Sequence, residues 1–206
     1  MKFLFLLEGK NDLIFLKEII ANNTHSSISP IFYSNRGNKS SKKNQETDML
    51  RNLCSYGSNY NLLVKEEEGR SVVINLFINL VVNFLPLNNN LCATVLFDHD
   101  SRDPDVDIQS INNNIKSRTS GKFGFEPASS KKRIVEGFYR RDFLLFLYGG
   151  QEKFPKASFS FATFDTSLEK VLSKRDTKEK DFLIEKDLKR FGSAIDFQDL
   201  INCDLS

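Results

Sequence analysis

The chain has 206 residues, with 29 Lys and Arg against 27 Asp and Glu and a formal net charge of +2. That length suits one domain, with or without an extension, and is enough for a substantial core. The near balance of charge excludes any argument from whole-protein charge, so a nucleic-acid surface would have to come from local clustering of Lys and Arg.

Residues 3–7 form a continuous apolar run, as a central parallel strand does when both its faces are covered. The run is too short for the apolar segment of a secretory signal. Glu8 stands at its carboxyl end. Asn11 or Asp12 can cap a helix in which Leu13, Phe15, Leu16, Ile19 and Ile20 recur at helical spacing. Ser29-Pro30 punctuates, and Ile31-Phe32-Tyr33 predicts a short second strand. Residues 35–45, with Arg36, Lys39, Lys42 and Lys43, read as a mobile loop, and 47–56 as a short helix. Glu66-Glu67-Glu68 followed by 72–85 predicts a helix with an acidic first turn, which suits the helix dipole; β-branched content leaves strand as the alternative. The apolar stretch 72–87 is interrupted by Asn75, Asn79, Asn83 and Pro86. It falls short of the ~20 residues a membrane helix needs, so no membrane partner is expected.

Residues 91–97 read as a third strand ending at Asp98, and 105–116 as a helix, with Asp103, Asp105 and Asp107 as solvated loop or helix-start residues. Residues 117–127 have turn chemistry around Gly121 and Gly124. Residues 134–148 fit either a helix or paired strands, broken by Gly149-Gly150. Residues 157–164 alternate as a strand does, and Asp165-Thr166-Ser167 opens a helix over 168–172. From Ser173 the chain is charged, with Phe182, Leu183, Leu188 and Phe191 spaced for an amphipathic helix. Strands alternating with helices predict an α/β fold with a mostly parallel sheet flanked by helices. We read 1–206 as one domain, with a core of 1–118 and 155–172, an insertion over 119–154 and a charged helical extension over 173–206. Cys54, Cys92 and Cys203 are far apart and odd in number. No zinc site or disulfide framework follows, and a reduced, cytoplasmic setting is expected.

Two apolar runs thus end abruptly in carboxylates, at Glu8 and at Asp98-His99-Asp100. In an open α/β sheet, that edge is where ligands bind. Period-two alternation sends Asp98 and Asp100 to one side and His99 to the other. Two carboxylates ~5 Å apart repel by about 3 kcal/mol at an effective dielectric near 20. A divalent cation removes that cost. Mg²⁺ takes oxygen ligands, uses few carboxylates and binds substrate phosphate, so metal-assisted phosphodiester chemistry is the leading expectation.

A strand followed by Glu8-Gly9-x-x-Asp12 and a helix, and later a strand followed by Asp98-x-Asp100, resembles the Toprim domain of topoisomerases, bacterial primases and several nucleases. In detail it is similar to the Toprim nucleases of the OLD (overcoming lysogenization defect) type, whose second acid one helical turn on is matched by Asp12. Their later Ser-x-Glu is matched by Ser167-Leu168-Glu169. The resemblance implies a Toprim, Rossmann-like sheet and catalytic Glu8, Asp98 and Asp100. Its metal ligands would be Glu8, Asp98, Asp100, Asp12 and Glu169, with Ser167 in support and Mg²⁺ or Mn²⁺ bound. It also implies a DNA or RNA substrate and a role in phage defence or repair. The chain has no Gly-x-x-x-x-Gly-Lys-Ser/Thr loop, a departure from the ATPase-bearing OLD proteins, and the resemblance implies a protein partner such as an ATPase subunit. Lys170, Lys174, Lys178, Lys180, Lys186 and Lys189 compete for the downstream catalytic lysine, and spacing does not choose among them.

Asp12 could equally cap its helix, and Ser167 with Glu169 could occupy a helix start. Val135-Glu136-Gly137 echoes the first motif, but the next acid, Asp142, is at the wrong spacing. Lys10, Lys131, Lys132, Arg133, Arg140 and Arg141 are the candidate phosphate contacts; a solvated face is the alternative. Two other functions compete with the nuclease. One is a Toprim-fold nucleic-acid-binding or assembly subunit with little activity alone, to which a partner would supply the substrate grip; either reading allows a homo-oligomer. The other, less well matched, is a phosphoacceptor receiver-like domain, in which the acidic pair would follow the first strand rather than the third.

Overall fold

The apolar run after Met1 forms β1 (Lys2–Leu7), buried from Leu4 to Leu7. Glu8 and Gly9 break it, and α1 (Lys10–Asn22) follows. In this computed structural model, residues 1–22, 28–34, 42–88, 90–98, 103–168, 171 and 180–201 are described. The chain continues through β2 (Pro30–Ser34), α2 (Lys42–Cys54), β3 (Leu62–Glu66), α3 (Arg70–Asn83), a 3₁₀ turn (Leu85–Leu87), β4 (Leu91–Asp98) and α4 (Pro104–Arg118). Then come β5 (Phe123–Pro127), β6 (Lys132–Val135), β7 (Phe138–Gly149), β8 (Glu152–Phe164), α5 (Lys180–Gly192) and α6 (Gln198–Ile201).

The strands form one eight-stranded sheet in the order β2-β3-β1-β4-β8-β7-β5, with β6 paired to β7. From β2 to β8 every neighbouring pair is parallel. β7 pairs antiparallel with β8, β5 and β6. The mostly parallel α/β sheet flanked by helices expected from the sequence is therefore the fold. β1 lies at its centre, between β3 and β4, which is why its apolar run is continuous.

Alternation along β1 feeds two cores. Leu4 and Leu6 join Ala93, Val95 and Phe97 beneath Val73, Phe77 and Val81 of α3 and Ile108, Ile111 and Ile115 of α4. Phe5 and Leu7 join Leu96 against Phe15, Leu16 and Ile19 of α1 and Leu188 of α5. The phenylalanines are clustered: Phe77, Phe125, Phe143, Phe159 and Phe161 meet mostly edge to face, with Phe77 and Phe159 centroids 4.9 Å apart and Phe143 stacked on Phe159. Such pairs contribute about 0.5–1.5 kcal/mol each beyond burial alone. The segment Arg70–Leu87 has a mean hydropathy of 1.6; Val73, Phe77, Ile78, Leu80 and Val81 use that apolarity to cover the sheet.

Several local expectations are corrected. Residues 62–66, part of them read as an acidic helix start, are β3, which makes β4 the fourth strand in sequence rather than the third. Charged residues hide β3 because their partners lie outside the strand: Ser34 Oγ donates to Glu66 Oε2 at 2.5 Å, and Lys65 pairs with Glu67, two positions on and just past the strand end. α2 begins at Lys42, inside the segment read as a loop. Residues 123–127 form strand β5 rather than a turn. There the buried Asn112 side chain acts as a strand neighbour, donating to the Phe125 carbonyl at 2.9 Å and accepting from its N–H at 3.0 Å.

Residues 134–148 resolve into paired strands. Gly149-Gly150 marks the β7–β8 hairpin, and Val135-Glu136-Gly137 is the β6–β7 turn, with Gly137 at φ +74°. The predicted C-terminal amphipathic helix is α5. Its last residue, Gly192, lies where a Cβ would stand 3.2 Å from the Phe15 carbonyl oxygen, so α1 and α5 approach closely. Cys92 is disulfide-bonded, where no bridge was expected, because spacing along a chain does not report proximity in the fold; Cys54 is free.

Candidate functional site

β1 and β4 run parallel and adjacent, with Leu7 opposite Leu96. Glu8 and Asp98 therefore leave the sheet at the same edge. Strict alternation from Leu7 and Phe97 would send their side chains to opposite faces. Glu8 lies just past the end of its strand, however, and its carboxylate turns across that end. Glu8 Oε2 accepts from the Asp98 N–H at 3.4 Å. On its other side Asp98 meets a third segment: its Oδ1 accepts from the Leu168 N–H at 3.1 Å. Leu168 is fully buried, and the Ser167 carbonyl beside it accepts from the Val171 N–H at 2.9 Å, closing a helical turn. The fold thus brings the middle residue of Ser167-Leu168-Glu169 to Asp98.

Asp12 has a local task. The Leu13 N–H bonds to the Gly9 carbonyl at 3.2 Å, so Gly9 caps α1 and Asp12 is its third residue. Asp12 Oδ2 reaches back to accept from the Gly9 N–H at 3.0 Å, the return half of a capping box. With 6 % exposure it is buried under the turn that carries Glu8. The helix-start reading of Asp12 is thus realised at the third helical position rather than at the cap itself.

Asp100, Glu169 and His99 lie outside the described residues. Among the described residues, no group of three or more His, Cys, Asp or Glu side chains is close enough to hold a metal ion. Mg²⁺ is commonly held by only one or two carboxylates together with waters and substrate phosphate. The oxygen donors of Glu8 and Asp98, on neighbouring strand ends, are of the chemistry that ion requires.

The same edge holds residues that the sequence reading missed. The Glu67 N–H donates to the Leu7 carbonyl at 2.9 Å and the Gly69 N–H to the Glu8 carbonyl at 3.0 Å. Arg70 Nη1 donates to the Asp98 carbonyl at 2.9 Å, and Arg70 also pairs with Asp107. Asp107, read as a solvated helix-start residue, is therefore largely enclosed, while Asp103 caps α4 by accepting from the Asp105 N–H at 2.9 Å. The Glu66-Glu67-Glu68 run was the only signal for this part of the edge, and its apparent fit to a helix dipole concealed it. Arg70 carried no sequence signal.

No protein-family model matches the chain. No curated protein and no solved structure matches it either.

The basic residues divide. Lys10, Lys131, Lys132 and Arg133 are exposed. Lys131 lies 3.4 Å from Asp165 Oδ1 and 3.9 Å from the centre of the Tyr139 ring. Loss of water, followed by the Asp165 carboxylate, pushes the Tyr139 hydroxyl above its ordinary pKa. Lys132 pairs with Asp199 at 2.7 Å, and the half-buried Arg141 with Asp105 at 2.7 Å. Arg140, expected at a phosphate-binding surface, is instead 2 % exposed. Its Nε donates to Asp142 Oδ1 at 2.8 Å and to Ser160 Oγ at 3.2 Å, and its Nη1 to the Asp199 carbonyl at 2.8 Å. The cause is strand alternation: neighbouring residues of β7 face opposite sides, so Arg140 and Arg141 cannot share a surface.

Proposed function

We propose that this chain is a Mg²⁺-dependent nuclease of the Toprim class, acting on phosphodiester bonds of DNA or RNA. One observation carries the reading. Glu8, Asp98 and Leu168 belong to three separate parts of the sequence, yet hydrogen bonds link them at one sheet edge. A purely solvated acid at a turn has no reason to bond to the main chain of a second acidic strand end.

Glu8 and Asp98, with Asp100 and Glu169 from outside the described residues, are the proposed ligands of Mg²⁺, with Mn²⁺ as the alternative. The ion would supply a polarised phosphoryl oxygen and an activated water at neutral pH. The chain's own residues orient the site. The Asp98 N–H holds Glu8 Oε2, and the Leu168 N–H holds Asp98 Oδ1. Asp12 stiffens the turn carrying Glu8 by closing its cap. Lys131, in the segment preceding β6, and Arg141, on β7, are proposed phosphate contacts, together with the exposed Lys10, Lys132 and Arg133.

Incubation of the purified chain with plasmid DNA and with RNA, in Mg²⁺ or Mn²⁺, tests the reading. Cleavage is expected in at least one combination, and loss of it with EDTA, Glu8→Gln or Asp98→Asn. Cleavage that survives both substitutions overturns it.

A further inference from the structure

Two consecutive residues grip both acidic strand ends through their main chains. Gly69 donates its N–H to the Glu8 carbonyl at 3.0 Å. Arg70, the next residue, donates from Nη1 to the Asp98 carbonyl at 2.9 Å. Gly69 has φ +96°, a left-handed conformation that side-chain-bearing residues rarely adopt. That conformation turns the chain out of the β3 end and into α3 while keeping its N–H on Glu8. Arg70 is itself held on two further sides. It forms an ion pair with Asp107 in the first turn of α4, and its guanidinium lies 5.0 Å from the centre of the Phe97 ring. The Arg70 and Asp107 side chains are only 14 % and 16 % exposed.

We propose that Arg70 is a positioning residue of the acidic centre, fixing the main chain of Asp98 so that its carboxylate stays beside Glu8. The inference rests on the metal-dependent reading above. The β1–β4 register ends at Leu7 and Leu96, while Asp98 is the last residue of the β4–β8 register, opposite Phe164. Its N–H goes to Glu8, its carbonyl to Arg70 and its side chain to the Leu168 N–H. A site of this kind works only when the groups that orient it are themselves locked. Arginine is suited to the place. Its planar fork serves the Asp98 carbonyl with one nitrogen and Asp107 with another while stacking on Phe97; a lysine ammonium cannot do all three.

Two variants test this: Arg70→Lys, and the double variant Arg70→Met/Asp107→Leu, which removes both charges so that no buried carboxylate is left unpaired. Three readouts apply to the full chain: hydrogen exchange at the Asp98 amide, Mn²⁺ titration followed by paramagnetic resonance, and nucleic-acid cleavage. Exchange at Asp98 is expected to accelerate about 10-fold or more, and Mn²⁺ affinity to fall by about 10-fold or more, as for other supporting groups of metal ligands. The thermal midpoint of Arg70→Lys should stay close to that of the parent. If the parent binds Mn²⁺ and both variants keep its affinity and its exchange rate, the positioning role is overturned and the metal reading stands. If the parent neither binds Mn²⁺ nor cleaves, the metal reading fails and takes the catalytic purpose of Arg70 with it. Exchange at Asp98 then reports separately whether the grip itself exists.

Discussion

Glu8 and Asp98, separated by 90 positions in sequence, meet where the Asp98 N–H donates to Glu8 Oε2 at 3.4 Å. The contact leaves two carboxylates at adjacent strand ends, an arrangement that serves folding poorly. Glu8→Gln keeps an acceptor for that N–H and removes one negative charge. Its thermal midpoint should equal or slightly exceed that of the parent, while cleavage falls by at least about 100-fold, the usual signature of a residue kept for function rather than stability. Thermal unfolding and an initial-rate assay on the same preparation check this. A midpoint several degrees lower would mark Glu8 as structural.

Arg140 is expected to matter for folding and not for substrate. Truncation to Ala removes a buried side chain and its bond to the Asp199 carbonyl, while Asp142, one-third exposed, keeps the Ser160 and Ser129 hydroxyls. Loss of such hydrogen bonds to a charged group costs about 1–3 kcal/mol, readable as a shift in the urea midpoint. Salt-dependent affinity for nucleic acid should be unchanged when measured below the transition.

Lys131 should behave in the opposite way. It is exposed, and its contact with Asp165 is a surface pair worth at most about 1 kcal/mol. Lys131→Ala should leave the urea midpoint within about 0.5 kcal/mol of the parent. It should weaken binding to nucleic acid across sequences and lower the slope of log K against log salt by about 1. An unchanged slope removes Lys131 from the substrate path.

Gly192 sits where α5 meets α1. A Cβ there would stand 3.1 Å from Glu18 Cβ and 3.2 Å from the Phe15 carbonyl oxygen. Backbone cannot yield as a long side chain can, so the gain in helix propensity is outweighed. Gly192→Ala should cost about 1–3 kcal/mol, the range for overpacking; urea unfolding decides the sign.

Stability should fall on the alkaline side. Burial pushes the Cys54 thiol above its ordinary value of 9.0, with Lys2 opposing. Burial, and then Cys54, push Tyr60 above 10.0. Burial, and then Glu126, do the same for Tyr148. In each case the folded chain holds its proton more tightly than the unfolded chain. Their contribution is therefore complete below the ordinary values and is lost as pH rises through the raised ones. Tyr60 makes the reason visible, since its hydroxyl donates to the Met49 carbonyl at 2.7 Å and can do so only while protonated. Urea midpoints measured across pH 7 to about 10.5 should be level at first and decline above about 9; a level profile throughout contradicts the assignment.

Much of the framework was legible without coordinates. The continuous apolar runs before Glu8 and Asp98 announced buried parallel strands, and helical spacing between them implied crossovers. Together they placed both acids at one edge of one sheet. Local patterns failed where the partner is far away in sequence. β3 was invisible because Lys65 and Glu66 look like surface residues until Glu67 pairs with the first and the Ser34 hydroxyl hydrogen-bonds to the second. β5 was read as a turn because the Asn112 side chain that completes its pairing sits on a helix.

What the sequence determines by itself is periodicity and chemistry: which segments must be buried, and that carboxylates end two of them. Which groups meet there was decided by tertiary structure. Strand order set Glu8 against Asp98, the return of the chain after β8 brought Leu168 to Asp98, and the β3–α3 turn delivered Gly69 and Arg70 to both strand ends. The physical reason is that these bonds run largely through main-chain N–H and carbonyl groups. Every residue type but proline carries both, so no pattern of side chains announces where they will pair.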